Sequence, residues 1–174
     1  MVQVTAGGDM ALDANEETAY FRLENRDLAS RLPEGTKIAE PFGPRGMGAG
    51  PAGLAGMNLR SGEIKFIGQV PAGDPGRSIW HVAGSADGRW AAADDFQYRL
   101  WLIDRHSGEM ILLSDNGHKR TASDHQHPTF NADGTKIEIQ SAMLSEDGRA
   151  LNICIVPVPK SWLARTYPGN LVIH

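Results

Sequence analysis

The sequence predicts an all-β chain made of β-propeller blades, in a partial or shortened ring. Two observations carry that reading. One spacing recurs three times: His81-Val-Ala-Gly-Ser-Ala-Asp-Gly88 matches His127-Pro-Thr-Phe-Asn-Ala-Asp-Gly134 at an offset of 46 residues, and Ser61-Gly-Glu63 returns as Ser107-Gly-Glu109 at the same offset. A repeat of about 40–50 residues built from short strands and turns is the signature of propeller blades. The second observation is the strand-turn grammar. Short runs of apolar residues alternate with Asp-Gly and Ser-Gly turns, as antiparallel hairpins require.

Taken in order, residues 1–31 read as a partial N-terminal blade. Its strands are 2–5, 9–12 and 18–23, with 27–31 as a rim strand. Residues 32–56 read as a linker. Pro41, Pro44 and Pro51 and the glycines from Gly43 to Gly56 leave no periodic pattern there. A phosphate-binding glycine loop is excluded, because no strand precedes it, no helix follows and no Lys-Ser/Thr closes it. Residues 57–160 read as two to three blades carrying a histidine site. The hairpin at 57–70 looks like the outer half of a blade whose inner strands are missing. Four strands follow at 79–83, 89–93, 99–103 and 109–113, then three at 127–130, 136–141 and 150–156. Residues 161–174 form a tail, with a helical turn at 161–167 and a last strand at 171–173. Trp80, Trp90, Trp101 and Trp162 lie in or beside strands and suit packing between blades, since aromatics bury the most area per residue. Asp94-Asp95 is an acidic pair after a strand. Paired carboxylates can serve as acid and base, but the turn role that aspartate favours is preferred here.

Composition narrows the function. The chain has 174 residues, with 17 Lys+Arg against 21 Asp+Glu and a formal net charge of −4. No basic cluster points to nucleic acid, and no apolar run is long enough to span a membrane. Cys154 is the single cysteine, so neither an internal disulfide nor a cysteine-rich zinc module is expected, and a small core role suits it. The N-terminal residues lack the basic and apolar regions of a secretory signal, which predicts a cytoplasmic protein.

The candidate site is a set of histidines. His125 and His127 are two apart, so on a strand both imidazoles leave on one face. His81 and His127 hold the same place in the repeat. Blades are radial, so equivalent residues on the innermost strands of neighbouring blades lie at one depth around the channel. That places His81, His125 and His127 together. Three neutral imidazoles facing one point suit Zn, Mn, Fe, Ni or Cu. The competing reading is three ordinary hydrogen-bonded strand histidines. His106, His118 and His174 lie in turns or at the terminus and are not candidates. Aligning Ala14 with Ala86 puts Asp9 at the position of His81, where it is read as a solvated turn residue.

The segment from Ile79 to Trp162 resembles the C-terminal part of bacterial oligogalacturonate lyases. The residues that carry the resemblance are His81 before Ala-Asp-Gly-Arg, Leu100-Trp-Leu-Ile-Asp-Arg-His-Ser-Gly-Glu109, His125-Gln-His127-Pro-Thr-Phe-Asn-Ala-Asp-Gly134 and Ile155-Val-Pro-Val-Pro-Lys-Ser-Trp162. The Ala-Asp-Gly turns alone are shared with many propeller repeats of the TolB type. His81 together with the His-x-His-Pro is more specific. The resemblance implies a seven-bladed propeller in which histidines at 81, 125 and 127 bind a divalent metal, usually Mn2+, that holds a uronate carboxylate. The implied activity is metal-assisted β-elimination of short oligogalacturonides in pectin degradation. Two departures are visible. The family's glutamine ligand, three residues before the histidine pair, is Ala122 here. The family's histidine base and charge-neutralising arginine lie in middle blades that this chain lacks, so no catalytic residue carries over. About thirteen strand candidates stand against the roughly 28 of a seven-bladed ring. The alternative is a non-catalytic TolB-like module that binds acidic sugar or protein. Open blade faces also predict self-association.

Overall fold

The computed structural model describes residues 10–12, 18–22, 54–58, 61–68, 79–115 and 126–167. They form three antiparallel sheets and one short helix. The first sheet runs in the order β1 (Met10–Leu12), β2 (Thr18–Arg22), β3 (Leu54–Asn58), β4 (Ile64–Gly68). The second is β5 (Ile79–Gly84), β6 (Trp90–Asp95), β7 (Arg99–Asp104), β8 (Met110–Asp115). The third is β9 (Thr129–Phe130), β10 (Lys136–Ser141), β11 (Asn152–Pro157), and α1 (Lys160–Leu163) follows it. These are propeller blades, and β5 of the second touches β1 of the first and β9 of the third.

The first sheet differs from the sequence reading. The outer hairpin at 57–70 does have inner strands: β2 pairs with β3 in the register Tyr20↔Gly56, and β1 pairs with β2. The N-terminal strands and that hairpin are therefore one four-stranded blade. Strand β3 also starts at Leu54, inside the glycine-rich stretch read as linker. Glycine density hid it, yet Leu54 and Ala55 are fully buried. The strands expected at 2–5, 27–31 and 171–173, and Asp9, lie outside the described residues.

The repeat is a repeat of turn chemistry. Gly88 and Gly134 have φ of 72° and 68°, and Gly62 and Gly108 have φ of 74° and 73°. Glycine adopts this left-handed region without the Cβ clash that other residues meet. Around Gly88, the Ser85 hydroxyl accepts the Trp90 amide at 2.9 Å and Asp87 accepts the Arg89 amide at 3.0 Å. Around Gly134, Asn131 accepts the Lys136 amide at 2.9 Å and Asp133 accepts the Thr135 amide at 3.0 Å. Gly108 has a further reason to be glycine: a Cβ there would come within 2.6 Å of the Ile67 carbonyl oxygen on the neighbouring blade.

The core is two layers, one on each face of the middle blade. Strand β6 shows why. Its side chains alternate between the faces, and all six of its residues are buried. Ala91 and Ala93 join Leu54, Ile79, Val82, Trp101 and Ile103 against the first blade. Trp90 and Ala92 join Leu100, Leu102, Ile137, Ile139, Cys154, Val158 and Trp162 against the third. Trp90 packs in the layer toward the third blade, its ring 5.4 Å from that of Trp162. Of the four tryptophans, Trp90, Trp101 and Trp162 are buried. Trp80 is half-buried and stacks on Phe96 at 4.4 Å.

A polar clasp closes the second layer. Asp104, at the end of β7, accepts bonds from the Tyr167 hydroxyl at 2.6 Å and from Arg165 at 2.9 Å. Arg165 also pairs with Glu109 and lies over the Trp162 ring. The segment after α1 is thus held to the middle blade by charge as well as by packing.

Candidate functional site

The site begins with an irregularity in the second sheet. Ile79 pairs with Asp95 and Val82 with Ala93, so three steps on β5 match two on β6. Trp80 and His81 together face Asp94, which is the two-against-one count of a β-bulge. Ile79 and Val82 consequently point into the same core layer, although regular alternation would separate them. The bulge re-aims His81 toward Asp94.

Asp94 collects N–H groups. Its Oδ1 accepts the His81 amide at 2.6 Å, and its Oδ2 accepts His81 Nδ1 at 2.8 Å. The same Oδ2 accepts the amides of Gln126 at 3.0 Å and His127 at 3.3 Å, which approach from the third blade. The carboxylate is 1% exposed and His81 6%. Three of these donors are backbone amides, which cannot act as acceptors. An acceptor-only carboxylate facing Nδ1 requires a proton on His81 Nδ1, and in a neutral ring that places the lone pair on Nε2.

His127 meets His81 across the gap between blades. Their ring centroids are 3.8 Å apart with the planes inclined by 35°. Here the sequence reading needs correction. His127 is not on a strand, because β9 begins at Thr129, and its φ is +44°. This left-handed conformation costs a non-glycine residue about 1–2 kcal/mol, and the bond to Asp94 helps to hold it. Strand alternation therefore does not set the direction of the His127 ring. His125 and Asp124 lie outside the described residues. Gln126 is fully buried, and its side-chain amide donates to the Tyr98 carbonyl at 2.8 Å. Tyr98 is itself in a left-handed conformation, φ +61°. Its carbonyl is part of the β6–β7 turn that supports the approach to β9.

Asp94 is the residue that the sequence reading passed over. The turn role fits only its neighbour. Asp95 accepts the amides of Gln97 and Arg99 at 2.8 and 3.2 Å, and pairs with the Arg99 guanidinium and the Trp101 indole. Burial pushes the Asp95 carboxyl above the usual carboxylate value, although the bonds from Arg99 and Trp101 pull the other way. Asp94 instead serves the histidines. A signal was present: two adjacent strand residues point to opposite faces, so one turn role cannot cover both.

The donor chemistry suits a divalent ion in part. His81 Nε2 and the neighbouring His127 ring are two imidazole donors at the inner strands. Asp94 already accepts four N–H groups and acts as their support. Among the described residues, no group of three or more His, Cys, Asp or Glu side chains is arranged to hold a metal ion. His125, the third histidine of the sequence reading, lies outside them.

No protein-family model matches the sequence, and no curated protein matches it. Solved structures do. The chain is similar to an oligogalacturonate lyase in complex with manganese, with a TM-score of 0.58, 12% identity and coverage of 88% of this chain and 35% of the lyase. It is also similar to the oligogalacturonate lyase of Vibrio parahaemolyticus, with a TM-score of 0.56, 13% identity and coverage of 88% and 36%. The fold is that of propeller blades, and it resembles the blades of oligogalacturonate lyases. The match spans about a third of the length of those enzymes.

Proposed function

We propose that this chain binds a divalent metal, Mn2+ in the first instance, through His81, His125 and His127, and through it the carboxylate of a short oligouronide. The observation that carries this reading is the contact of the His81 and His127 rings where the second and third blades meet, with His81 held through Nδ1 by Asp94. The likeness in fold to a lyase that is in complex with manganese supports the choice of ion. When bound, the metal would neutralise the uronate carboxylate and so ease loss of the adjacent C5 proton in a β-elimination. The protein's own contribution is to hold the two imidazoles in register across two blades. No residue is assigned as the base, so elimination by this chain is slow or absent.

The test is a Mn2+ titration of the chelator-treated protein, wild type beside His127→Ala, followed by titration with digalacturonate. One Mn2+ per chain is expected in the wild type and none in the variant, with the sugar bound only when Mn2+ is present. A wild type that takes up no divalent metal would sink this reading. It would favour a non-catalytic TolB-like module, with its hydrogen-bonded histidines serving only the packing of the blades.

A further inference from the structure

The structure assigns Asp94 as the positioning residue of this site: it sets the His81 tautomer and seats the His127 backbone, so that the two rings are presented together before any ligand arrives. The inference rests on the metal-binding reading above for its purpose, but its geometry stands independently. Four N–H groups from two blades converge on one carboxylate. Each backbone donor is fixed by its peptide, so both oxygens must act as acceptors. Only then can His81 Nδ1 join them, and only as a donor.

The β-bulge is part of the device. It brings the amide of His81 and its ring to the same carboxylate, which a regular ladder would not do. Asp94 lies at 1% exposure, so water cannot take over its bonds. A carboxylate behind a ligating histidine fixes ring orientation and raises its strength as a donor, and loss of such support costs about 10- to 100-fold in metal affinity. Here the same carboxylate reaches both members of a pair: one through its ring and the other through its amide. That second bond is what ties His127, in its left-handed conformation, to the first blade's neighbour.

An Asp94→Asn change keeps the shape and removes one acceptor: its NH2 group opposes the His81 amide at one position, or the Gln126 and His127 amides at the other. Long-range proton–nitrogen correlation spectra of metal-free, nitrogen-15-labelled protein read the tautomer directly. We expect Nδ1–H at His81 in the wild type, and in Asp94→Asn a Mn2+ affinity down about 10- to 100-fold. His81 in the Nε2–H form in the wild type, or unchanged Mn2+ affinity in a folded variant, overturns the assignment. If Asp94→Asn does not fold, the wild-type tautomer alone decides. A wild type with Nδ1–H that binds no Mn2+ upholds Asp94 as the residue that orders His81, while the metal reading fails.

Discussion

At the scale of single residues, charge placement decides more than charge number. Asp104 is the clearest case away from the histidines. Burial raises its carboxyl, but bonds from the Tyr167 hydroxyl, the amides of Ser107 and His106, and Arg165 outweigh that and hold it below the usual carboxylate value. For Tyr167 the sign is opposite: burial and its bond to Asp104 push the phenol well above its usual value. A carboxyl with a depressed folded-state pKa contributes stability above its unfolded value, about 3.9, which is lost as pH falls through the lower folded value. A phenol with a raised one contributes fully below about pH 10 and loses its share as pH rises further. Tyr167→Phe should therefore cost about 1.5 kcal/mol at neutral pH, the worth of a hydrogen bond to a charged group. The gap from wild type should narrow in urea titrations as pH falls through the depressed folded-state value of Asp104, and a gap that stays constant throughout acid titration would show that the loss is one of packing. This scale also shows where the sequence falls short. The 46-residue offset was enough to bring His81 and His127 together. The sequence did not show that His127 would leave the strand with a positive φ, because strand propensity says nothing of a backbone held by a distant carboxylate. Asp94 looked like a turn residue because its partners come from 13 and 32 residues away.

At the scale of elements, the middle blade was legible and the first was not. Strands β5 to β8 follow one another with tight turns between them, so local pattern and pairing agree. The first blade joins strands from either side of residues 23–53, and no local signal announces such a pairing. The third blade poses a different question. Among the described residues β11 has no strand beyond it, and its Ile153 and Ile155 are 65% and 56% exposed. They lie beside Gln140 and Glu138 of β10 on the face that points away from the core. An exposed apolar edge is a template for pairing with another chain. Self-association through this edge is the expected outcome, and Ile155→Lys should weaken it. Because Ile155 makes no part of either core layer, its replacement should change stability by less than about 0.5 kcal/mol. Sedimentation across a concentration series reads the association. Equal association by both proteins would place the contact elsewhere.

At the scale of the whole molecule, the described residues form two four-stranded blades and one three-stranded blade packed in series, with a site where the inner strands of two of them meet. On the proposed reading the described residues supply two of the three imidazoles that would bind the metal, and none of them is placed as a base. β-Elimination requires a base on the C5 proton as well as a stabilised carboxylate. Positioned acid–base catalysis is typically worth about 10²- to 10⁴-fold. Among the described residues, no histidine is left to act as base. His81 and His127 are the proposed ligands, and a ligating imidazole has no lone pair left for a proton. His106 lies in the turn after β7 and packs against Tyr167, ring centroids 4.3 Å apart and planes inclined by 41°, on the side of the Asp104 clasp rather than beside His81 and His127. Burial and Arg105 lower its basicity, against the pull of Asp104. The paired acid beside the site is no better placed, because Asp94 is saturated by N–H donors and Asp95 by Arg99 and Trp101. An assay of this chain on digalacturonate with added Mn2+, followed by the ultraviolet absorbance of unsaturated uronide, should thus show sugar binding with turnover far below 1 s⁻¹, about the lower end of ordinary enzymes. Turnover at or above that rate would mean that a base is supplied, either by a residue outside those described or by a second copy of the chain. A dilution series separates the two. Turnover per chain that falls as the self-associated form dissociates requires a residue donated across copies, whereas turnover per chain unchanged by dissociation places the base within one chain.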